Sequence, residues 1–311
     1  MKKRTVLYII SIIVTANVLA WVFLMQPRSA NLRAGYPFLS PRIFAENQND
    51  ILINFVSLRK QLETKFKALP DGTQYSFYFE YLPSGTSIRI GDDNQLVAAS
   101  LIKVPLVMNL YRAAELKKIS LDESVTIKES ELDNGYGDLW KKGAGTTYTL
   151  RRLAQYALEQ SDNTATHALY DRTTGLLKEE DQSLAQLDID QDLQNGQAVI
   201  NAKSYTSVLK SLYLASYVGR DSSNEILKYL TNSTEHNRLT KNLPKDLVVA
   251  HKNGVYSQTW AESDCGIVYV PKRPYAVCMM IGLPESEASA FMADASKTIY
   301  DYVSKASTDK E

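Results

Sequence analysis

A charge-free stretch of residues 5–25 follows the basic tripeptide Lys2-Lys-Arg4 and is the strongest apolar feature of the chain. An α-helix rises about 1.5 Å per residue and the hydrocarbon core is about 30 Å thick, so roughly 20 residues cross a bilayer. The stretch ends in Trp21-Val-Phe-Leu-Met25 rather than in a small-x-small cleavage site. It therefore predicts an uncleaved single-pass anchor in the cytoplasmic membrane, with residues 1–4 inside and the catalytic part outside. A cleaved signal peptide is the alternative.

Two hydrophobic periodicities alternate along the rest of the chain. Residues 26–48 contain three prolines and no sustained apolar period, which predicts a linker. Helical apolar spacing predicts helices over residues 50–69, 101–117, 150–160, 164–172, 204–218 and 285–305. Aromatic and β-branched runs predict strands over residues 75–82, 86–90, 247–252, 266–270 and 275–283. Strands near both ends of residues 49–305 thus enclose a helical middle. This order predicts one sheet beside a helical subdomain, with residues 306–311 as a tail.

Composition excludes several classes of function. The 35 basic and 35 acidic residues balance, so nothing predicts a nucleic-acid partner. Cys265 directly precedes the predicted strand 266–270 and Cys278 lies on the neighbouring predicted strand 275–283, so the two are either buried apolar side chains or a cross-strand disulfide. His167, His236 and His251 lack metal-ligand spacing, so we expect no metal and no other cofactor.

The most informative polar pair is Ser100 and Lys103, at the start of the predicted helix 101–117. Residues three apart lie one turn apart on one helix face, so the two side chains can meet. A serine hydroxyl becomes a nucleophile when a base takes its proton, and a partly desolvated lysine can be that base. Taken alone, the pair also fits a helix-capping serine beside a solvated lysine.

Two later motifs add to this pair. Ser161-Asp-Asn163 lies between two predicted helices, where Ser161 could relay a proton and Asn163 could hold Lys103 or a substrate amide. His251-Lys-Asn-Gly254 follows a predicted strand, where Lys252 could face a substrate carboxylate and Gly254 could allow close backbone approach. Separately, they also fit a helix cap and a strand-end turn.

In this order the three motifs resemble the SxxK, SDN and KTG motifs of class A β-lactamases and the related penicillin-binding serine peptidases. The resemblance covers residues 49–305 and implies an α/β fold, with a mainly antiparallel sheet flanked by helices. It implies acylation of Ser100, with the backbone N–H groups of Ser100 and Val255 as the oxyanion hole. Tyr136 matches an aromatic residue of the family's cleft wall. Arg238 lies where some members carry a carboxylate-binding arginine.

The sequence departs from the family pattern at two places. Asn253 stands where the third motif usually has Thr or Ser, so an amide replaces a hydroxyl that would bond the substrate carboxylate. Class A β-lactamases also carry a Glu-x-x-x-Asn loop segment whose glutamate activates the deacylating water, and residues 175–201 contain no such pattern. Asp190 and Asp192 are the nearest candidate bases, although both are also typical of a solvated loop.

The resemblance implies a monomeric serine hydrolase that forms an acyl-enzyme with β-lactams or with acyl-D-Ala amides of peptidoglycan stem peptides. Two alternatives are a D-Ala-D-Ala carboxypeptidase or transpeptidase and a membrane penicillin sensor that stays acylated. A Ser-His-Asp esterase is disfavoured, because the sequence has no GxSxG motif.

Overall fold

The computed structural model describes residues 53–91, 94–190 and 192–306. In chain order the elements are α1 (Val56–Lys67), β1 (Tyr75–Tyr81), β2 (Thr86–Ile90), β3 (Leu96–Val97), a 3₁₀ turn (Ala99–Ile102), α2 (Lys103–Glu115), β4 (Ser124–Thr126), β5 (Thr147–Thr149), α3 (Leu150–Glu159), α4 (Asn163–Thr173), α5 (Ser183–Gln186), β6 (Leu193–Gln194), β7 (Gln197–Ile200), α6 (Ala202–Tyr213), α7 (Arg220–Thr231), β8 (Val249–Tyr256), β9 (Ala261–Val268), β10 (Tyr275–Gly282) and α8 (Glu285–Lys305).

An antiparallel sheet of five strands organises the fold, in the order β2-β1-β10-β9-β8. The first two strands of the domain therefore pair with the last three, across the helical middle of the chain. The predicted α/β fold with an antiparallel sheet and flanking helices is confirmed. The sheet carries Lys252 on its edge strand β8, next to the helical part of the domain.

Apolar side chains cover both faces of the sheet. On one face α1 and α8 pack over β1 and β10, and their buried contacts include Leu62, Phe66, Met292, Ile299 and Val303. The opposite face packs against α6 and the other helices of the middle segment. All eight residues of β9 are buried, because that strand is covered on both sides.

The strands around the third motif are longer than the apolar pattern predicts. β9 begins at Ala261, five residues before the predicted start at 266, and β8 continues past Lys252 to Tyr256. The added part of β9 contains Glu262, Ser263 and Asp264, which are buried with polar partners. Polar residues buried in this way erase the alternating pattern on which a strand prediction depends.

The helical middle contains elements that the periodicity does not predict. A 3₁₀ turn that contains Ser100 precedes α2, and α7 is a separate helix. A two-stranded sheet, β4-β5, lies within this middle, and a three-stranded sheet, β3-β7-β6, joins its strands β6 and β7 to β3 just before it. The predicted anchor (5–25) and linker (26–48) lie outside the described residues. Within residues 53–306, as far as they are described, no helix is both long and apolar enough to cross a membrane.

Cys265 and Cys278 form a disulfide in the centre of the sheet. The two residues face each other in the register of β9 and β10, and both are fully buried. Of the two possibilities left by the sequence, the structure therefore has the cross-strand bond. It joins the strand that carries Asp264 to the strand that crosses the middle of the sheet.

Candidate active site

Ser100 lies in the 3₁₀ turn that leads into α2, directly after Ala99, whose φ is +46°. Positive φ is rare for a residue with a side chain and is found mainly where the surrounding structure enforces it. The neighbouring edge strand comes very close here. A Cβ atom on Gly254 would lie 2.9 Å from the Ala98 carbonyl oxygen and 2.7 Å from Ser263 Oγ. Glycine therefore lets β8 approach the turn that carries Ser100.

Lys103 is the first residue of α2 and is 3% exposed. Its Nζ donates to the Ser161 carbonyl oxygen, to Ser161 Oγ at 3.2 Å and to Asn163 Oδ1 at 2.8 Å. The first two motifs, 58 residues apart in the chain, thus meet through this ammonium group.

Lys252 approaches the same hydroxyl from β8. Its Nζ donates to Ser161 Oγ at 2.9 Å, to the Asn253 carbonyl oxygen at 3.1 Å and to Asn253 Oδ1 at 3.2 Å. Ser161 Oγ therefore accepts hydrogen bonds from two lysines. Because a hydroxyl has two acceptor lone pairs and one proton, Ser161 can accept from both lysines and still donate its proton to a third group.

The two lysines have unusual acidities. Burial is the main cause that lowers the Lys103 pKa to about 7, and the positive charge of Lys252 lowers it further. Burial also lowers the Lys252 pKa to about 8, against the opposing effect of the Asp264 carboxylate. At neutral pH, Lys103 is thus divided between its charged form and a neutral amine that can accept a proton.

Asp162, between Ser161 and Asn163, is the helix cap that the sequence offers as the alternative interpretation of this motif. Its side chain is fully buried, caps α4 through the Ala165 N–H at 2.8 Å and accepts the Leu139 N–H at 2.8 Å. It fixes the α3–α4 junction, where Ser161 has a φ of +54°. The motif thus contains both a helix cap and, in Ser161 and Asn163, side chains that contact Lys103.

Asn163 is held from a second side by Asp133. Asn163 Nδ2 donates to Asp133 Oδ1 at 3.0 Å, and the Gly135 N–H donates to the same oxygen at 2.7 Å. Partial burial raises the Asp133 pKa, but these two hydrogen bonds outweigh it and the pKa is lowered overall. The carboxylate thus orients the Asn163 amide so that its oxygen faces Lys103.

Arg238 differs from its expected position. Its guanidinium is 1% exposed and binds Glu262 at 2.5 Å, Glu285 at 3.2 Å and Asn237 Oδ1 at 2.8 Å. The group is therefore part of an internal ion-pair cluster rather than an exposed anchor for a substrate carboxylate. The buried Glu262 in the unpredicted part of β9 is the reason, because a buried carboxylate needs a cationic partner.

The buried pair of His251 and Asp264 also lies behind the third motif. His251 Nδ1 is 2.9 Å from Asp264 Oδ1, and Asp264 Oδ2 accepts the Leu239 N–H at 3.0 Å. Burial raises the Asp264 pKa, but His251 and the Leu239 N–H outweigh it and lower the value overall. Asp264 lies opposite Asn253 in the β8–β9 register, so this carboxylate supports the strand segment that carries Lys252.

A cavity of about 810 Å³ opens beside Ser100. Ser100, Lys103, Asn163 and Val255 form part of its wall, and the other lining residues come mainly from α2, α4 and segment 174–200. Its size is in the range that binds small organic molecules. In residues 53–306, where described, no group of three His, Cys, Asp or Glu side chains is placed to hold a metal.

Of the other predicted residues Asp190, Asp192 and Tyr136, only Asp190 lines this cavity. Asp190 and Asp192 are both exposed. The Asp192 carboxylate accepts a hydrogen bond from Gln95 Nε2 at 2.9 Å. Tyr136 is 37% exposed; its carbonyl oxygen accepts the Asn163 N–H at 3.0 Å and its hydroxyl donates to Glu235. The structure thus places Tyr136 in contact with the second motif. Of the two loop aspartates, Asp190 lies at the cavity and Asp192 does not.

Comparison with known proteins identifies the family that the three sequence motifs resemble. Residues 57–303 match the model of the beta-lactamase enzyme family. A β-lactamase of Bacteroides uniformis is 28% identical over 269 residues, which are 78% of this chain and 90% of that protein. The β-lactamase BRO-1 of Moraxella catarrhalis is 24% identical over 66% of this chain and 72% of its own length.

Solved structures share the fold at lower identity. The extended-spectrum β-lactamase TLA-3 superposes with a TM-score of 0.73 at 18% identity, over 81% of this chain and 100% of its own. PBP-A superposes with a TM-score of 0.71 at 22% identity, over 79% of this chain and 95% of its own. A PBP-A variant with a leucine replaced by glutamate is an acyl-enzyme complex with penicillin G. With the family model matched over most of its length, the chain belongs to the beta-lactamase enzyme family and is a class A β-lactamase-like serine hydrolase.

Proposed function

We propose that Ser100 forms an acyl-enzyme with β-lactams and that its hydrolysis is the slow step. The observation that carries this proposal is the position of the Ser161 hydroxyl between Lys103 and Lys252, at hydrogen-bond distances of 3.2 and 2.9 Å. Such an arrangement can take a proton from a nucleophile and deliver one to a leaving nitrogen. The named β-lactamases among its relatives support the choice of substrate.

In the proposed acylation, neutral Lys103 accepts the Ser100 proton while Ser100 Oγ attacks the lactam carbonyl carbon. The backbone N–H groups of Ser100 and Val255 stabilise the negative charge on the carbonyl oxygen. When the C–N bond breaks, Ser161 gives its proton to the nitrogen and is reprotonated by Lys103. Lys252 and the Asn253 amide bind the substrate carboxylate, since the Arg238 guanidinium is already paired with the Glu262 carboxylate.

A second substrate class has one specific observation in its favour. The 174–200 part of the cavity wall contains no glutamate in the position of a water-activating loop residue, and only Asp190 among its acids lines the cavity. An acyl-enzyme that reacts slowly with water suits a D-Ala-D-Ala peptidase or transpeptidase, or a sensor, as well as a slow β-lactamase. A peptide ending in D-Ala-D-Ala distinguishes them, since only a peptidase or transpeptidase releases D-alanine.

Because the proposal assigns acylation to Ser100, Lys103, Ser161 and Lys252 and provides no loop glutamate for deacylation, we expect burst kinetics with a chromogenic β-lactam. About one equivalent of product should appear rapidly and be followed by a much slower steady state. Loss of a positioned general base typically costs about 10²–10⁴-fold, so deacylation should be slower than acylation by a factor in this range. Stopped-flow absorbance at saturating lactam measures both phases. Linear product formation without a burst would contradict slow deacylation.

The N-terminal segment carries a separate proposal. We infer that residues 5–25 anchor the protein in the cytoplasmic membrane, with the hydrolase domain outside, because the stretch has no charge and follows three basic residues. The full chain should sediment with membranes and resist extraction by high salt and alkaline carbonate. A variant starting at residue 49 is the matched control. Recovery of a soluble product whose N-terminus lies between residues 26 and 35 would identify a cleaved signal instead.

A further inference from the structure

The cavity wall limits which groups could activate a water for hydrolysis of the acyl-enzyme. Apart from tyrosines, three ionisable side chains line it among the described residues: Lys103, His167 and Asp190. Lys103 is already assigned to acylation, and its ammonium group is bonded to Ser161 and Asn163. His167 and Asp190 are therefore the two candidates for the base that acts on water.

His167 lies close to the residues proposed for acylation. It lies on α4 four residues after Asn163, so the two side chains share one helix face and their Cβ atoms are roughly 5–6 Å apart. Asn163 Oδ1 is in turn 2.8 Å from Lys103 Nζ. The imidazole is 50% exposed and lines the cavity that contains Ser100. It can therefore contact a water molecule in that cavity.

The Asp133 carboxylate distinguishes the two ring nitrogens of His167. His167 Nε2 lies 3.8 Å from Asp133 Oδ2, while the other carboxylate oxygen accepts from Asn163 at 3.0 Å. The negative charge favours a proton on Nε2, which leaves Nδ1 as the nitrogen that can accept one. Asp190 has no comparable support: it is exposed and its carboxylate makes no hydrogen bond with any residue that the structure describes. A general base must be positioned as well as basic, and this favours His167.

We propose that His167 is the general base that activates water for hydrolysis of the acyl-enzyme, in place of the missing loop glutamate. This proposal rests on the acylation of Ser100 proposed above. The water oxygen bonds to the acyl carbonyl carbon while one water proton moves to the His167 imidazole. The bond between that carbon and Ser100 Oγ then breaks and the carboxylic acid leaves. The imidazole returns its proton, which restores the Ser100 hydroxyl through Lys103 or Ser161.

The test separates acylation from deacylation in His167→Gln and Asp190→Asn. Each protein is labelled with a fluorescent penicillin, freed of excess reagent and followed by gel fluorescence as the label is lost. The H167Q variant should acylate within about twofold of the wild type, with an adduct half-life longer by roughly 10- to 100-fold. The D190N variant should match the wild type in both phases. Hydroxylamine, a nucleophile that needs no base, should release the label from all three proteins at similar rates.

A second variant tests the chemical role directly. In His167→Ala, added imidazole should shorten the adduct half-life by a larger factor than in the wild type, because the free base replaces the missing one. Equal half-lives of the H167Q and wild-type adducts would overturn the proposal, and so would a longer half-life in D190N alone. Loss of acylation in both His167 variants would assign the residue a structural role and overturn it too. Failure of the wild type to form any adduct would instead reject the acyl-enzyme itself.

Discussion

Replacement of Ser100 by alanine should abolish both covalent labelling by penicillin and release of product from a chromogenic β-lactam. Ser100 is the nucleophile in the proposed mechanism, whereas the Ser161 hydroxyl accepts hydrogen bonds from two lysines and is assigned to proton transfer. Intact-protein mass spectrometry after exposure to penicillin measures the effect. The wild type should gain the mass of one penicillin, and the S100A variant should gain none.

The control for this change is Ser304→Ala, an exposed serine near the end of α8. This variant should label like the wild type. Circular dichroism and the thermal unfolding midpoint of S100A should stay close to those of the wild type, because only one partly exposed hydroxyl is removed. An adduct of unchanged stoichiometry in folded S100A would show that another residue is the nucleophile.

Lys103→Met should lower the acylation rate constant by about 10²–10⁴-fold, the usual contribution of a positioned general base. Methionine keeps much of the side-chain length and removes the amine that links Ser161 and Asn163. In the wild type the acylation rate should rise with pH through about 7, since the base is the neutral amine and burial lowers the Lys103 pKa to that value. In K103M this rise should disappear.

Lys60→Met, an exposed lysine on α1, is the matched control and should keep the wild-type rate and pH profile. The measurement is single-turnover labelling between pH 5 and 9 with excess penicillin. A pH profile that persists in K103M, with a rate close to that of the wild type, would assign the base to another group. Lys252, whose lowered pKa is about 8, would then be the residue to replace next.

The sequence predicts those parts of the fold in which apolar residues follow a helical period or form a nearly continuous run. The helical apolar spacing of α8 and the aromatic and apolar runs of β1 and β10 reveal these elements directly. The start of β9 is not predictable in this way, because Glu262 and Asp264 are buried against Arg238 and His251. These partners are 13 and 24 residues away in the chain, so the local order of apolar and polar residues does not indicate them.

In the candidate site, too, local spacing is predictable from the sequence and contacts between distant residues are not. The spacing of Ser100 and Lys103 follows from the geometry of one helical turn, and the order of three motifs indicates the family. The pairing of His167 with Asp133 joins residues 34 positions apart, one on α4 and one in the segment between β4 and β5, so it becomes visible only in three dimensions. For the same reason, the sequence predicts Arg238 as a substrate anchor while the fold places it in an internal ion pair.

The most direct test of the account is to locate the covalent adduct in the wild-type protein. The protein is exposed to penicillin, quenched in acid and digested, and the modified peptide is sequenced by tandem mass spectrometry. We expect a single modified peptide containing Ser100, with the added mass on the Ser100 side chain and at most one adduct per chain. An adduct on any other residue, or no adduct under conditions where the protein is folded, would contradict the assignment of Ser100 as the acylated nucleophile.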